Sequence, residues 1–160
     1  MRPHHSTKKM IVRAIQIAEA GEWARLRGRL WPDADPQELT AETQAFLEGA
    51  EMPTIAAAFV AREEEGDEAI GFLELGVRPF ADGCESRPVA HVEGWYVEPA
   101  ARGRGVGRAL MTAAENWARE RGFTELASDT EVENDLSLAA HLRFGFFETE
   151  RLIKFRKPLG

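Results

Sequence analysis

Apolar positions change period several times along this 160-residue chain. "MIVRAI", Met10 to Ile15, is a continuous apolar run of strand length. "EAGEWARLRGRLW" places Trp23, Leu26 and Leu30 at helical spacing. "DPQE" starts a second helix, with Asp35 as N-cap, Pro36 at the first helical position and Glu38 closing a capping box. That helix should end near Glu48, before Gly49. "PTIAAAFVARE" and "AIGFLELGVRPF" are strand-length runs joined by the charged turn "EEEGDE", where Gly66 can take positive φ. "ADGCESRP" is a loop, and "VAHVEGWYVE" is a strand apolar on both faces, hence central.

From Val106 the period becomes helical. Val106, Leu110, Ala113 and Trp117 form a stripe, flanked by Met111, Ala114 and Ala118, with Glu115–Arg119 at i,i+4 spacing outside. Gly122 stops that helix. "FTELASD" predicts a short strand, Asn134 to about Arg143 a short helix, and "FGFFETERLIKFRKP" one or two closing strands. The order β-α-α-β-β-β-α-β-α-β predicts an α/β protein of the α+β type, with a mixed, mostly antiparallel central sheet flanked by helices.

The length suits one domain, residues 10–160, behind a polar and flexible tail, residues 1–9. A net charge of −7 argues against nucleic-acid binding and suits a cationic ligand. Cys84 is the only cysteine, and the four histidines form no metal-ligand spacing, which argues against a structural metal. No apolar run approaches membrane-span length and the start lacks a signal-peptide core, so the expected location is the cytoplasm.

"VEPAARGRGVGRALM" combines a strand end, a glycine-rich loop and a helix start. Unpaired N–H groups and the helix dipole make such a start an anion site, and missing side chains let phosphate approach. Gly103, Gly105 and Gly107 supply the bare backbone, with Arg102, Arg104 and Arg108 as nearby cations. The spacing matches neither a P-loop nor the dinucleotide fingerprint.

The stretch resembles the Arg/Gln-x-x-Gly-x-Gly/Ala motif of the Gcn5-related N-acetyltransferases (GNAT), filled here by Arg102, Gly105 and Gly107. "NDLSLAAHLRFGF" resembles a downstream segment of that family: Asn134 and Gly145–Phe146 match, Ser137 replaces an alanine, and His141 replaces a tyrosine. "HVEGWYVEP", "AAENWARERG", "ELASDTEVEN" and "RLWPD" resemble the aminoglycoside 6′-N-acetyltransferases within the family. The resemblance implies a GNAT fold, acetyl-CoA as co-substrate with no metal, and an aminoglycoside antibiotic as acceptor. It implies that amides from Gly103 through Val106 to Arg108 hold the pyrophosphate. Trp95, Tyr96 and Val97 would follow the pantetheine arm, and Asn134 would join the cofactor set.

An amine attacks a thioester only as the free base, so an alkylammonium must first lose a proton. Glu93 is a carboxylate in an apolar strand, and Gly94 is a bulge position that would aim it into a cleft. It is the expected catalytic and substrate-binding acid, taking the proton directly or through water. The Val97 N–H is a candidate oxyanion donor. His141 is either the acid for the leaving thiolate or a packed helix histidine. Tyr96 is the weaker alternative, because strict alternation puts it opposite Glu93. Further substrate contacts are expected from Asp129, Glu150, Trp23, Asp33 and Phe80, each with core packing or surface charge as the alternative.

Two other functions fit the same residues: acetylation of a different amine, such as a polyamine, small metabolite or protein N-terminus, and non-catalytic acyl-CoA sensing. The "ERLIKFRKPL" run could give a partner an edge strand, which suggests a homodimer.

Overall fold

The computed structural model describes residues 9–160; the tail expected over 1–9 otherwise lies outside the described residues. Five strands form one sheet in chain order: β1 (Ile11–Ala14), β2 (Ala57–Arg62), β3 (Gly71–Arg78), β4 (Val89–Val97) and β5 (Leu126–Ser128). The first four pair antiparallel, while β5 runs parallel to β4 over Ala90–Val92. Loops join β2 to β3 and β3 to β4, a two-helix segment joins β1 to β2, and the parallel pair needs the helical crossover α3 (Val106–Glu120).

Helices α1 (Ala20–Leu30) and α2 (Pro36–Leu47) cover one face of the sheet and α3 the other. The turn between α1 and α2 is set locally: Asp35 accepts from the Gln37 N–H at 2.9 Å, and Pro36 occupies the first turn. On the α1 face Trp23, Leu26, Val60 and Phe72 are buried together. On the α3 face Leu73, Leu75 and Val92 meet Val106, Leu110 and Met111. Burying each large apolar side chain contributes about 1.5–3 kcal/mol. The stripe of α3 is rotated from its expected centre. Its buried residues are Val106, Leu110, Met111, Ala114 and Ala118. Trp117 sits at the edge, stacked on Phe123.

The closing strands expected after Phe144 are absent among the described residues. α4 (Asp135–Arg143) is followed by chain with no regular structure. Ile153 and Phe155 alternate with Lys154 and Arg156 in strand fashion, yet lie 81% and 91% exposed. The pattern is that of a strand, but among the described residues no strand pairs with this segment.

Candidate active site

The donor side is built at the end of β4. β5 pairs with β4 no further than Val92, so, among the described residues, positions 93–97 of β4 have no strand neighbour on that side. The chain then passes through a short 3-10 turn, Pro99–Ala101, into the glycine loop. Gly105 is the N-cap of α3 at φ +85°, a left-handed conformation in which glycine is unstrained. No side chain caps the helix, so the first-turn N–H groups keep their donor capacity. A Cβ built on Gly103 or Gly105 would meet nothing within 4 Å, so the loop faces open space.

The arginines do not converge on that space. Arg102 Nε donates to the Val97 carbonyl at 3.0 Å, Arg104 pairs with Glu63, and Arg108 lies over the Phe144 ring. Val106 is buried and offers only backbone. The anion site is therefore backbone and dipole first, side-chain charge second.

The acceptor side lies at the middle of β4. Glu74 pairs with Gly94 and Leu75 with Val92, so Glu93 is the extra residue of a β-bulge. The bulge inverts the alternation beyond it. Val92, Trp95 and Val97 all pack toward α3. Gly94 and Tyr96 face α1: a Cβ on Gly94 would lie 2.9 Å from Trp31, and Tyr96 packs on Phe72. Glu93 shares that face, beside Gly76, where an added Cβ would lie 2.9 Å from Oε1. Glycine at 76 thus leaves the room that the carboxylate fills. This overturns the placement of Tyr96 opposite Glu93; its hydroxyl donates to Glu98 at 3.2 Å.

Glu93 accepts two hydrogen bonds from Arg78, Nε at 2.9 Å and Nη2 at 2.8 Å. This fork-to-fork pair stabilises the partly buried anion. The His91 Nδ1 lies 3.3 Å from Glu93 Oε1, and its Nε2 lies 3.7 Å from Asp129 Oδ2. Arg78 Nη1 reaches the same Asp129 oxygen at 3.8 Å. Burial pushes the His91 imidazole below its ordinary range, with Arg78 acting the same way and Glu93 and Asp129 opposing. Arg78 and His91 were not singled out in the sequence. His91 carried a signal, standing two residues before Glu93 in one strand; Arg78 carried none, since only the β3–β4 register brings it there.

Other expected contacts separate. Asp33 is exposed in the α1–α2 turn, two residues after the Trp31 that packs on Gly94. Phe80 is exposed beneath the Arg87 guanidinium, and Glu150 is exposed on the irregular C-terminal segment. Trp23 forms no wall: it is fully buried, edge-on to Phe46, with Nε1 donating to Glu74 at 3.1 Å. An apolar indole whose one donor is satisfied in the core belongs there. Asn134 caps α4, accepting from the Ser137 N–H at 3.1 Å.

His141 sits on the α3 face, edge-on to Trp95. Its Nδ1 lies 2.7 Å from the Ser137 carbonyl, which can only accept, so Nδ1 carries the proton. Nε2 lies 2.7 Å from Ser128 Oγ and accepts from it in the neutral ring. The ring ties α4 to β5 and has no spare N–H.

The family model described as "Acetyltransferase (GNAT) family" matches residues 21–146, and this chain belongs to that family. The fold also matches a crystal structure of the aminoglycoside N-acetyltransferase AAC(6')-Iy in complex with CoA, with TM-score 0.83 and 36% identity over 93% of this chain and 95% of that one. A second structure, of AAC(6')-Iy with the bisubstrate analogue CoA-S-monomethyl-acetylneamine, gives TM-score 0.83 and 35% identity over 94% of this chain and 99% of that one. Among curated proteins, the aminoglycoside N(6')-acetyltransferase type 1 of Klebsiella aerogenes is 48% identical, covering 93% of this chain and 97% of the relative. The one from Stenotrophomonas maltophilia is 46% identical, covering 92% and 93%.

Proposed function

We propose that this chain transfers acetyl from acetyl-CoA to the 6′-amino group of aminoglycoside antibiotics and so confers resistance, by direct attack of the amine on the thioester. One observation carries the reading: β4 holds an anion-binding helix start at its end and a bulge carboxylate at its middle. The long-range similarity to aminoglycoside 6′-acetyltransferases, one of them with a bisubstrate analogue, supports the acceptor.

The amides of residues 103–108 would hold the pyrophosphate, and residues 95–97, unpaired on the β5 side, would receive the pantetheine amides. The Val97 N–H would stabilise the oxyanion. Glu93 binds the reacting ammonium and takes its proton; Asp129 holds a second ammonium, with Asp33, Phe80 and Glu150 as outer contacts. His141 serves as a clamp, because its donor is committed to Ser137. The proton left by the second N–H then goes to the thiolate from solvent. We place the reaction in the cytoplasm, where the lone Cys84 stays reduced.

We also assign a homodimer in which the 152–157 run of each copy adds to a partner. β5 is the last strand of the sheet, and a groove of about 330 Å³ lies between it and residues 144–149. The exposed, strand-patterned arm of a second copy is the occupant we assign to it. Light scattering tests it: full-length chain should run as a dimer, and chain cut after Thr149 as a monomer.

Steady-state assays with acetyl-CoA and a panel of amines test the function. Aminoglycosides bearing a free 6′-amine should be turned over and polyamines should not. The reverse pattern overturns the acceptor. CoA binding without turnover of any amine would make the chain a sensor.

A further inference from the structure

His91 lies beside Glu93 and has no role in the reading above. Its side chain is 4% exposed, yet Nδ1 makes no hydrogen bond. Leaving a buried polar nitrogen unpaired is costly. A core histidine of purely structural use would find a partner, as His141 does on the opposite face with Ser128 and Ser137. His91 instead spans two carboxylates. On one side is Glu93, whose side chain is 13% exposed; on the other is Asp129, at 71%. The ring thus joins a nearly buried acid to one standing in solvent.

We propose that His91 is a positioning residue that carries the substrate's proton from Glu93 to Asp129 and the solvent. The proposal rests on the reading of Glu93 as the group that takes that proton.

The step balances as follows. One ammonium N–H bond breaks and an O–H forms on Glu93. The proton moves to His91 Nδ1 while the Nε2 proton leaves toward Asp129 and water. The freed lone pair attacks the thioester carbonyl, the C–S bond breaks, and a second N–H proton ends on the thiolate. Acetyl transfer to an ammonium releases one net proton, and this path delivers it to bulk. Because Arg78 donates to both Glu93 oxygens and favours the anion, a proton taken there is passed on rather than kept. The groups facing the ring are Glu93 on β4, Arg78 on β3 and Asp129 after β5; burial and Arg78 keep the imidazole neutral, and so able to receive.

The test uses the full chain with acetyl-CoA and an aminoglycoside carrying a free 6′-amine. His91→Gln and His91→Phe are compared with the parent for kcat and KM across pH 5.5–9; the Phe variant fills the site if Gln does not fold. Both should lose roughly tenfold or more in kcat near neutrality, with KM for both substrates within about twofold, and the acid limb of the kcat profile should change shape. Parent-like kcat and profile in either folded variant would overturn the relay. So would a fall in kcat with the profile unchanged, which marks a packing role. Glu93→Gln separates the two claims: if it retains full kcat, the underlying reading of Glu93 fails; if it loses kcat while the His91 variants do not, only the relay fails.

Discussion

The two ends of the site on β4 are built by opposite means. The donor end is local: a strand end, a short turn, Gly103, Gly105 and the first turn of α3 follow one another within 97–108. The acceptor end is assembled from afar: Arg78, His91, Glu93 and Asp129 come from three strands or their ends, and Trp31 from the end of α1. Backbone amides bind an anion wherever the helix begins, so the donor end depends on few side chains. A carboxylate held at 2.8–2.9 Å by an arginine depends on register and on a bulge. The donor end therefore should be broken by conformation and charge, the acceptor end by single side-chain atoms.

The largest effect is expected from Gly105→Asp. A side chain at φ +85° is strained, and its charge would face the pyrophosphate. Isothermal titration should show no measurable CoA binding while circular dichroism retains the fold; unchanged affinity would contradict the donor assignment. Next comes Glu93→Gln, which keeps the shape of the acceptor end and removes its charge. We expect kcat to fall at least about a hundredfold with CoA affinity unaltered, checked by steady-state kinetics beside titration. Arg78→Ala should act in between, freeing Glu93 to move. A rise of several-fold in aminoglycoside KM, with acetyl-CoA KM unchanged, is the expected result.

A smaller effect reaches stability. Trp23→Phe removes the donor to the buried Glu74 and should cost about 1–3 kcal/mol in urea unfolding. The same measurement carries a pH signature. The folded-state pKa of His91 is depressed below its ordinary 6.5, so the unfolded chain takes its proton first as pH falls. Stability from this group is present above pH 6.5 and is lost as pH drops through the folded value. His91→Phe should flatten that acid slope. Last, Arg119→Ala removes an exposed i,i+4 pair with Glu115 at 3.4 Å and should change stability by less than about 0.5 kcal/mol.

Much of the fold was legible because its signals are short-ranged. The order of strands and helices through α4, the Asp35 cap and the positive φ of Gly66 and Gly122 follow from neighbouring residues. Distant contacts overturned some expectations and, for His141, chose between two. The arm after Phe144 has the pattern of a strand, with no strand paired to it among the described residues. Trp23, at a position resembling a substrate wall, is taken by the core because Glu74 on β3 receives its N–H. His141, in the place of a family tyrosine, is committed to Ser128 and Ser137.

Tyr96 shows the division most clearly. Strict alternation puts it opposite Glu93, and one extra residue in β4 puts both on the α1 face. By itself the sequence determined the glycine-started helix at 105–106, the central apolar strand before it and a carboxylate lodged within that strand. Those are properties of a few consecutive residues: φ freedom, hydropathy and a missing donor. Which groups meet the carboxylate was decided only by tertiary structure. Arg78 and Asp129 reach Glu93 and His91 through strand register and the bulge, and register is set by the packing of whole faces rather than by any one segment.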